Sequence, residues 1–338
     1  MKMKRTLIAF LTLFLAITAF AQPPANYYNS ADGLTGDRLK LALHDIIKGH
    51  SSISYAQIWN AFWSTDNKGD GVVWDMYSDI PSGTAPYTYY LGQDQCGNYN
   101  GEGDCYNREH SWPQSWFNND ATARTDMHHI FATDGFVNGK RSNFAFGEVG
   151  SASWTSQNGS KLGSCKTAGF SGTVFEPIDE YKGDFARAIM YMSVRYYSED
   201  ASWGSSDMTT KSEIKPWAIA MLLRWNKQDP VSKKEIDRNN AIYNDYQHNR
   251  NPFVDEPEFA DRIWDPYWNV AEPQPESTIG KADRLLVYDL TGRLLMEIDI
   301  KSENENLSDL KNQLQRGCYL LQYLGGNHVV GNRKLLVN

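Results

Sequence analysis

Residues Asn107 to Phe146 read NREHSWPQSWFNNDATARTDMHHIFATDGFVNGKRSNFAF. The stretch holds three of the chain's seven histidines, the adjacent pair Glu109-His110, and a polar block, Asn138-Gly139-Lys140-Arg141-Ser142-Asn143. Glu109, His110, Asp126, His128, His129 and Asp134 cluster within it, and three chemistries could use them. A zinc peptidase needs two His one helical turn apart with a Glu between them, and no H-E-x-x-H string exists. Nucleophilic hydrolysis needs a G-x-S-x-G elbow or an activated cysteine, and neither is visible. Phosphodiester hydrolysis with one hard cation needs a carboxylate and an amide oxygen as ligands. It also needs a neutral imidazole to take a proton from water. Glu109, Asn138 and His110 can supply these parts. Neighbouring residues on a regular strand point to opposite faces. Glu109 and His110 therefore share a site only if the strand ends or twists there, and Pro113 is consistent with such an ending.

Outside this stretch the chain sets broad limits. Its 338 residues allow one large or two unequal domains. A formal net charge of −8 argues against holding nucleic acid by bulk charge. A local basic patch remains compatible, because salt screens fields within about 8 Å. The 11 Trp and 19 Tyr read first as an aromatic core, with surface stacking on sugars or bases as the rarer use. Met1 to Ala21 reads as a secretory signal: Lys2, Lys4 and Arg5, an apolar run from Leu7 to Ile17, then Ala19-Phe20-Ala21. The run is short of the roughly 20 residues a membrane span needs. A mature chain from Gln22 is expected to act outside the cytoplasm. In that oxidising setting Cys96 and Cys105, which bracket the loop GNYNGEGD, are expected to form a disulfide. Cys165 and Cys318 are expected to be buried free thiols.

Periodicity predicts a helix over Gly36 to Gly49, in which His44 is structural, and a short one over Tyr55 to Phe62. Val72 to Tyr77 and Tyr87 to Leu91 read as strands, with Asp75 and Asp79 at solvated loop ends. Gly147 to Gly172 reads as a long ordered loop or weak hairpin anchored by Trp154. Lys182 to Tyr197 is predicted to be an amphipathic helix, followed by helices over Ile214 to Trp225, Lys233 to His248 and Phe259 to Trp268. Glu272 to Gly280 has linker composition. Strands are then predicted at Arg284 to Asp289, Leu294 to Ile300, Tyr319 to Tyr323 and Lys334 to Val337. The fold class is α+β, with a mixed helical and β body followed by a small all-β, sandwich-like module. The expected divisions are a signal at 1–21, a catalytic domain at 22–271, a linker at 272–280 and the terminal module at 281–338.

Three strings carry a resemblance: Asn107-Arg108-Glu109-His110-Ser111-Trp112-Pro113, Thr125-Asp126-Met127-His128-His129, and Asp134 through Asn143. Together, in this order, they resemble the bacterial secreted and periplasmic endonuclease I family, built around a ββα-metal (His-Me) finger. The similarity extends from about Leu39 to Trp268 and includes Lys182 to Ala188 and Asn249-Arg250-Asn251-Pro252-Phe253. It implies that Glu109 and Asn138 bind a divalent cation, first of all Mg²⁺, with Mn²⁺ or Ca²⁺ as alternatives. It implies that His110 is the general base and that an arginine holds the phosphate. Arg124 is the candidate, and Arg141 and Lys140 are further phosphate contacts unless they form a plain solvated face. His128 and His129 are expected to divide a buried structural role from one supporting the site. The bland reading of Glu109 is a salt-bridge partner for Arg108. Family members cleave DNA, and sometimes RNA, with little sequence preference and leave 5′-phosphates.

Val287 to Leu295, Gly317 to Leu321 and Lys334 to Val337 resemble the C-terminal sorting domain of type IX secretion in Bacteroidetes, with Cys318 standing where an apolar residue is usual. That resemblance implies passage through the periplasm, export by the type IX machinery, and release to the medium or attachment at the outer-membrane surface. A carbohydrate-binding or packing module is the alternative for the tail. The whole chain thus reads as a secreted, metal-dependent, non-specific endonuclease. The rivals are a phosphodiesterase acting on RNA or small substrates, and a catalytically inactive extracellular surface-binding protein with aromatic stacking sites.

Overall fold

A computed structural model describes residues 23–265, 283–289, 293–300, 310, 313–315, 317–326 and 328–337. The expected signal, the linker at 272–280, the turn at 290–292, the last residues of the final body helix and the Cys318 side chain lie outside the described residues. Helix α1 (Gly36–Ile47) and helix α2 (Ile58–Thr65) precede a small hairpin, β1 (Asn67–Gly69) with β2 (Val72–Val73). Strand β3 (Tyr106–His110) pairs antiparallel with β4 (Ile130–Asp134), which runs directly into helix α3 (Gly135–Arg141). A four-stranded sheet follows: β5 (Ala145–Phe146), β6 (Val149–Thr155), β7 (Lys161–Cys165) and β8 (Thr173–Glu176), in the order β5-β8-β7-β6. Helix α4 (Lys182–Arg195), the short pair β9 (Thr209–Thr210) and β10 (Glu213–Ile214), and helices α5 (Pro216–Gln228), α6 (Lys233–Ala241), α7 (Pro252–Asp255) and α8 (Phe259–Trp264) complete the body. The architecture is α+β, as expected.

Helix α4 is the centre of the core. Its apolar spacing predicts one buried stripe, yet all fourteen of its residues are buried. The difference has a physical reason, because each charged residue along the helix meets a partner. Asp184 receives Lys234 Nζ at 2.8 Å, Arg187 donates to both carboxylate oxygens of Glu235 at 2.5 and 2.9 Å, and Arg195 pairs with Glu199 at 3.0 Å. Phe185 of α4 stacks on Tyr77, which carries the core's rigidity to the centre described below.

Some local expectations fail for identifiable reasons. Val72 to Tyr77 is extended only at Val72–Val73. Asp75 Oδ1 accepts the Tyr77 amide at 2.8 Å and its carbonyl accepts the Asp79 amide at 2.8 Å, which turns the chain despite its β-forming composition. Tyr87 to Leu91 contributes a single bridge, Tyr90 to Val72. Asp75 and Asp79 are buried rather than solvated. Asp79 accepts from Tyr181 Oη at 2.6 Å and pairs with Lys68 at 2.5 Å. Gly147 to Gly172 is a true hairpin, β6 with β7, inside the larger sheet. The helix expected to reach His248 changes to a π-helical turn at Ile242–Gln247, and His248 closes it with φ of 61°.

The disulfide between Cys96 and Cys105 is present, and Cys165 is a half-buried free thiol. The tail forms one antiparallel sheet, β11 (Arg284–Tyr288), β12 (Leu294–Asp299), β13 (Gly317–Gly325) and β14 (His328–Val337), ordered β12-β11-β13-β14. Leu285, Val287, Leu321, Tyr323 and Leu335 are the centre of its own apolar cluster. Among the described residues there is no second sheet to make a sandwich. No described helix is long and apolar enough to cross a membrane.

Candidate active site

Strand β3, strand β4 and helix α3 form a ββα unit. Asp134 ends β4 and caps α3 by accepting the Val137 amide at 2.7 Å. Above α3 lies Tyr99, carried by the loop that the Cys96–Cys105 bond closes. A Cβ at Gly135 would come within 2.6 Å of the Tyr99 ring, so the helix can approach that ring only through glycine.

His110 is the last residue of β3 and is buried. Its Nε2–H donates to the Arg124 carbonyl at 3.0 Å, which leaves the Nδ1 lone pair available. Gln114 Nε2 lies 3.4 Å from Nδ1, and Gln114 Oε1 accepts from Arg124 Nε at 3.2 Å. Burial, reinforced by His129, pushes His110 down to about 3, so the ring is neutral across the physiological range. Tyr55 stacks on one side at 6.0 Å, and the His129 ring stands edge-on at 5.3 Å. His129 is itself fixed by an Nε2–H bond of 2.7 Å to the Ala123 carbonyl.

Glu109 lies one residue earlier, and β3 ends at His110, which is the ending the sequence required for the two to share a site. Its Oε1 accepts from Tyr77 Oη at 2.8 Å and meets Arg141 Nη1 at 3.1 Å. Burial outweighs both partners and pushes the carboxyl up to about 7. Both contacts go to Oε1, and among the described residues Oε2 has no hydrogen-bond partner. Asn138 sits on α3, with Nδ2 3.4 Å from the Arg108 carbonyl, and its Oδ1 likewise has no partner among the described residues. One carboxylate oxygen and one amide oxygen, both open, fit a hard cation that keeps much of its water. Among the described residues no three His, Cys, Asp or Glu side chains are grouped so as to hold a metal ion.

Arg141 does not fit the expectation of a phosphate contact. It is 1% exposed, donates from Nη1 to the His110 carbonyl at 2.8 Å and from Nη2 to the Ser111 carbonyl, and neutralises Glu109. It ties the end of β3 to α3. The bland pairing of Glu109 with Arg108 is not present either. The Arg108 guanidinium lies 3.6 Å from the Tyr55 ring centre and 4.3 Å from that of Trp59. Arg124 is exposed, and its guanidinium lies 4.2 Å from the Tyr55 ring on the His110 side of the strand. Lys140 is half-buried, 5.1 Å from the Phe136 ring and 5.9 Å from that of Trp154. His128 is buried away from His110, 4.6 Å from Tyr191, with Nε2–H donating to the Asn249 carbonyl at 3.1 Å. Of the two histidines, His129 is the one against His110. Sequence reasoning missed Tyr55, Tyr77 and Gln114. Their only signal was type, two phenols and an amide in polar or aromatic surroundings, and nothing local tied them to the centre.

The family model for endonuclease I matches residues 35–258. An extracellular ribonuclease of Bacillus amyloliquefaciens is 40% identical over 248 residues, covering 70% of this chain and 78% of that protein. An extracellular ribonuclease of Bacillus subtilis is 37% identical over 263 residues, covering 74% and 83%. Endonuclease-1 of Buchnera aphidicola is 30% identical over 131 residues, covering 38% and 46%.

Proposed function

The chain belongs to the endonuclease I family, and from that premise we propose that it is a secreted, divalent-metal-dependent endonuclease acting on DNA and RNA. The observation that carries the mechanism is the pairing of a neutral His110, whose tautomer the Arg124 carbonyl fixes, with open oxygens on Glu109 and Asn138. His110 Nδ1 takes a proton from water as that water adds to phosphorus. Glu109 and Asn138 would hold the cation through the oxygens their other contacts leave free. When bound, the divalent ion supplies charge stabilisation at the phosphate and the leaving oxygen. The P–O3′ bond breaks and the departing O3′ takes a proton from solvent water, leaving a 5′-phosphate and a 3′-hydroxyl. The exposed Arg124 guanidinium holds the phosphate close to the base. Nothing in this scheme uses a 2′-hydroxyl, so both DNA and RNA are substrates. The names of the two Bacillus relatives support RNA, and the word extracellular in them agrees with the signal-like N-terminus.

The terminal β module adds no chemistry to this scheme. Its role is export by the type IX machinery, which its sequence resemblance supports. The test of function is digestion of plasmid DNA and single-stranded RNA by the mature chain with Mg²⁺ and with EDTA, followed by end-group analysis. Magnesium-dependent cleavage to 5′-phosphates supports the reading. A folded protein that cleaves neither polymer with Mg²⁺, Mn²⁺ or Ca²⁺ refutes it and favours the inactive binding protein.

A further inference from the structure

Helix α2 carries an aromatic line out of the centre. Tyr55, just before the helix, is stacked by His110 and lies 3.6 and 4.2 Å from the guanidinium groups of Arg108 and Arg124. Arg108 in turn lies 4.3 Å from the Trp59 ring centre. Guanidinium and ring thus alternate from Arg124 through Tyr55 and Arg108 to Trp59. Trp63 follows Trp59 by four residues, which places it on the same helix face about 6 Å further on.

Trp63 is 50% exposed, although Trp112 and Trp225 are wholly buried. It is also held in place. A Cβ built at Gly71 or at Gly92 would lie 3.5 Å from its six-membered ring, so the indole packs on glycine backbone at two points. Both glycines have positive φ, 78° and 75°, and belong to the edge where Tyr90 bridges Val72. Tyr90 is itself 45% exposed. A fixed, half-exposed indole loses little freedom when a flat partner lands on it.

We infer that Trp63 is a stacking subsite for an unpaired nucleobase, on the strand that leaves the reaction centre past Arg108 and Trp59. The inference rests on the nuclease reading. Continuity with the centre argues for this occupant: guanidinium and ring alternate from Arg124 beside His110 to Trp59, and Trp63 stands about 6 Å further along the same helix. Charge argues for it as well. A chain of net charge −8 cannot hold a polyanion by its overall field, and base stacking adds affinity without further cations. A paired duplex keeps its bases stacked on one another, so the subsite selects single strands and frayed ends.

The experiment measures binding of a fluorescein-labelled single-stranded decanucleotide in EDTA, and its cleavage in Mg²⁺, for wild type, Trp63→Ala and Trp63→Phe. Each is repeated with a chain of the same length made of abasic units. Trp63→Ala is expected to weaken binding of the base-bearing strand about tenfold (about 1.4 kcal/mol) and to raise KM similarly with kcat unchanged. Trp63→Phe is expected to stay within about threefold of wild type, and the abasic chain to bind all three alike. Equal affinity of wild type and Trp63→Ala for the base-bearing strand overturns the inference. So does an equal loss on the abasic chain, which would assign the contact to the backbone. A wild type that neither binds nor cleaves overturns the nuclease reading itself.

Discussion

Asp75→Asn should stabilise the protein at pH 8 and destabilise it at pH 4. Asp75 is buried, with 2% of its surface exposed. Burial first, and the neighbouring Asp134 carboxylate second, push it from 3.8 up to about 7. Its Oδ1 accepts the Tyr77 amide, while Oδ2 is buried without a partner among the described residues. The raised value means that the folded state binds more protons than the unfolded state between about pH 4 and 7. Stability from this residue is therefore lost as pH rises through that window, and the penalty is full above it. A displacement of roughly three pH units corresponds to at most about 4 kcal/mol. Asparagine keeps the Oδ1 contact and removes the charge, but adds an amide hydrogen pair that needs a partner, at about 1–3 kcal/mol. The expected net gain at pH 8 is about 1–3 kcal/mol. Urea unfolding followed by tryptophan fluorescence at pH 4, 6 and 8 reads it directly. An effect of Asp75→Asn that is the same at pH 4 and pH 8, or a larger destabilisation at pH 8, would refute the argument.

Three further predictions use the same geometry. The acid limb of kcat/KM should move to lower pH as Mg²⁺ is raised, because the cation competes with the proton on Glu109, which titrates at about 7 without it. A limb near pH 6.5 indifferent to cation concentration would assign the titration to His110 and contradict its burial-lowered value. Gly135→Ala should cost about 1–3 kcal/mol through overpacking against Tyr99, and Tyr99→Ala should remove most of that cost; thermal unfolding of both single variants and the double variant checks the pairing. Arg124→Ala keeps the backbone carbonyl that fixes His110, so turnover should fall roughly 10²-fold, on the scale of one lost charge-stabilising donor, while the pH profile keeps its shape. A changed profile would mean that the side chain, not the carbonyl, governs the base.

What could be read from the sequence was what is local in it. Glu109 and His110 are adjacent, Asn138 lies within the helix that follows the second strand, and the strings around them mark the unit. The pairing of Cys96 with Cys105 was legible because they stand nine positions apart and bracket a glycine-rich loop. Long-range partnerships were not legible. Arg141 looked like a surface cation beside Lys140, and only the folded chain turns it inward to the His110 carbonyl, 31 positions away. Tyr77 looked like a strand residue until the Asp75 turn sent its hydroxyl to Glu109, 32 positions on. Helix α4 looked amphipathic because the charges that complete its other faces, Lys234 and Glu235, come from α6. Propensity failed where a side chain competed with the ladder for the backbone, as Asp75 does.

The central claim is a division of labour between Glu109, which holds the cation, and His110, which moves the proton. The most direct test titrates Mn²⁺ by calorimetry into wild type, His110→Ala and Glu109→Gln, and measures cleavage by the same preparations. The account requires His110→Ala to bind Mn²⁺ as wild type does while losing about 10²–10⁴-fold in rate, and Glu109→Gln to lose both binding and cleavage. Cleavage by His110→Ala at the wild-type rate, or full Mn²⁺ binding by Glu109→Gln, would contradict it.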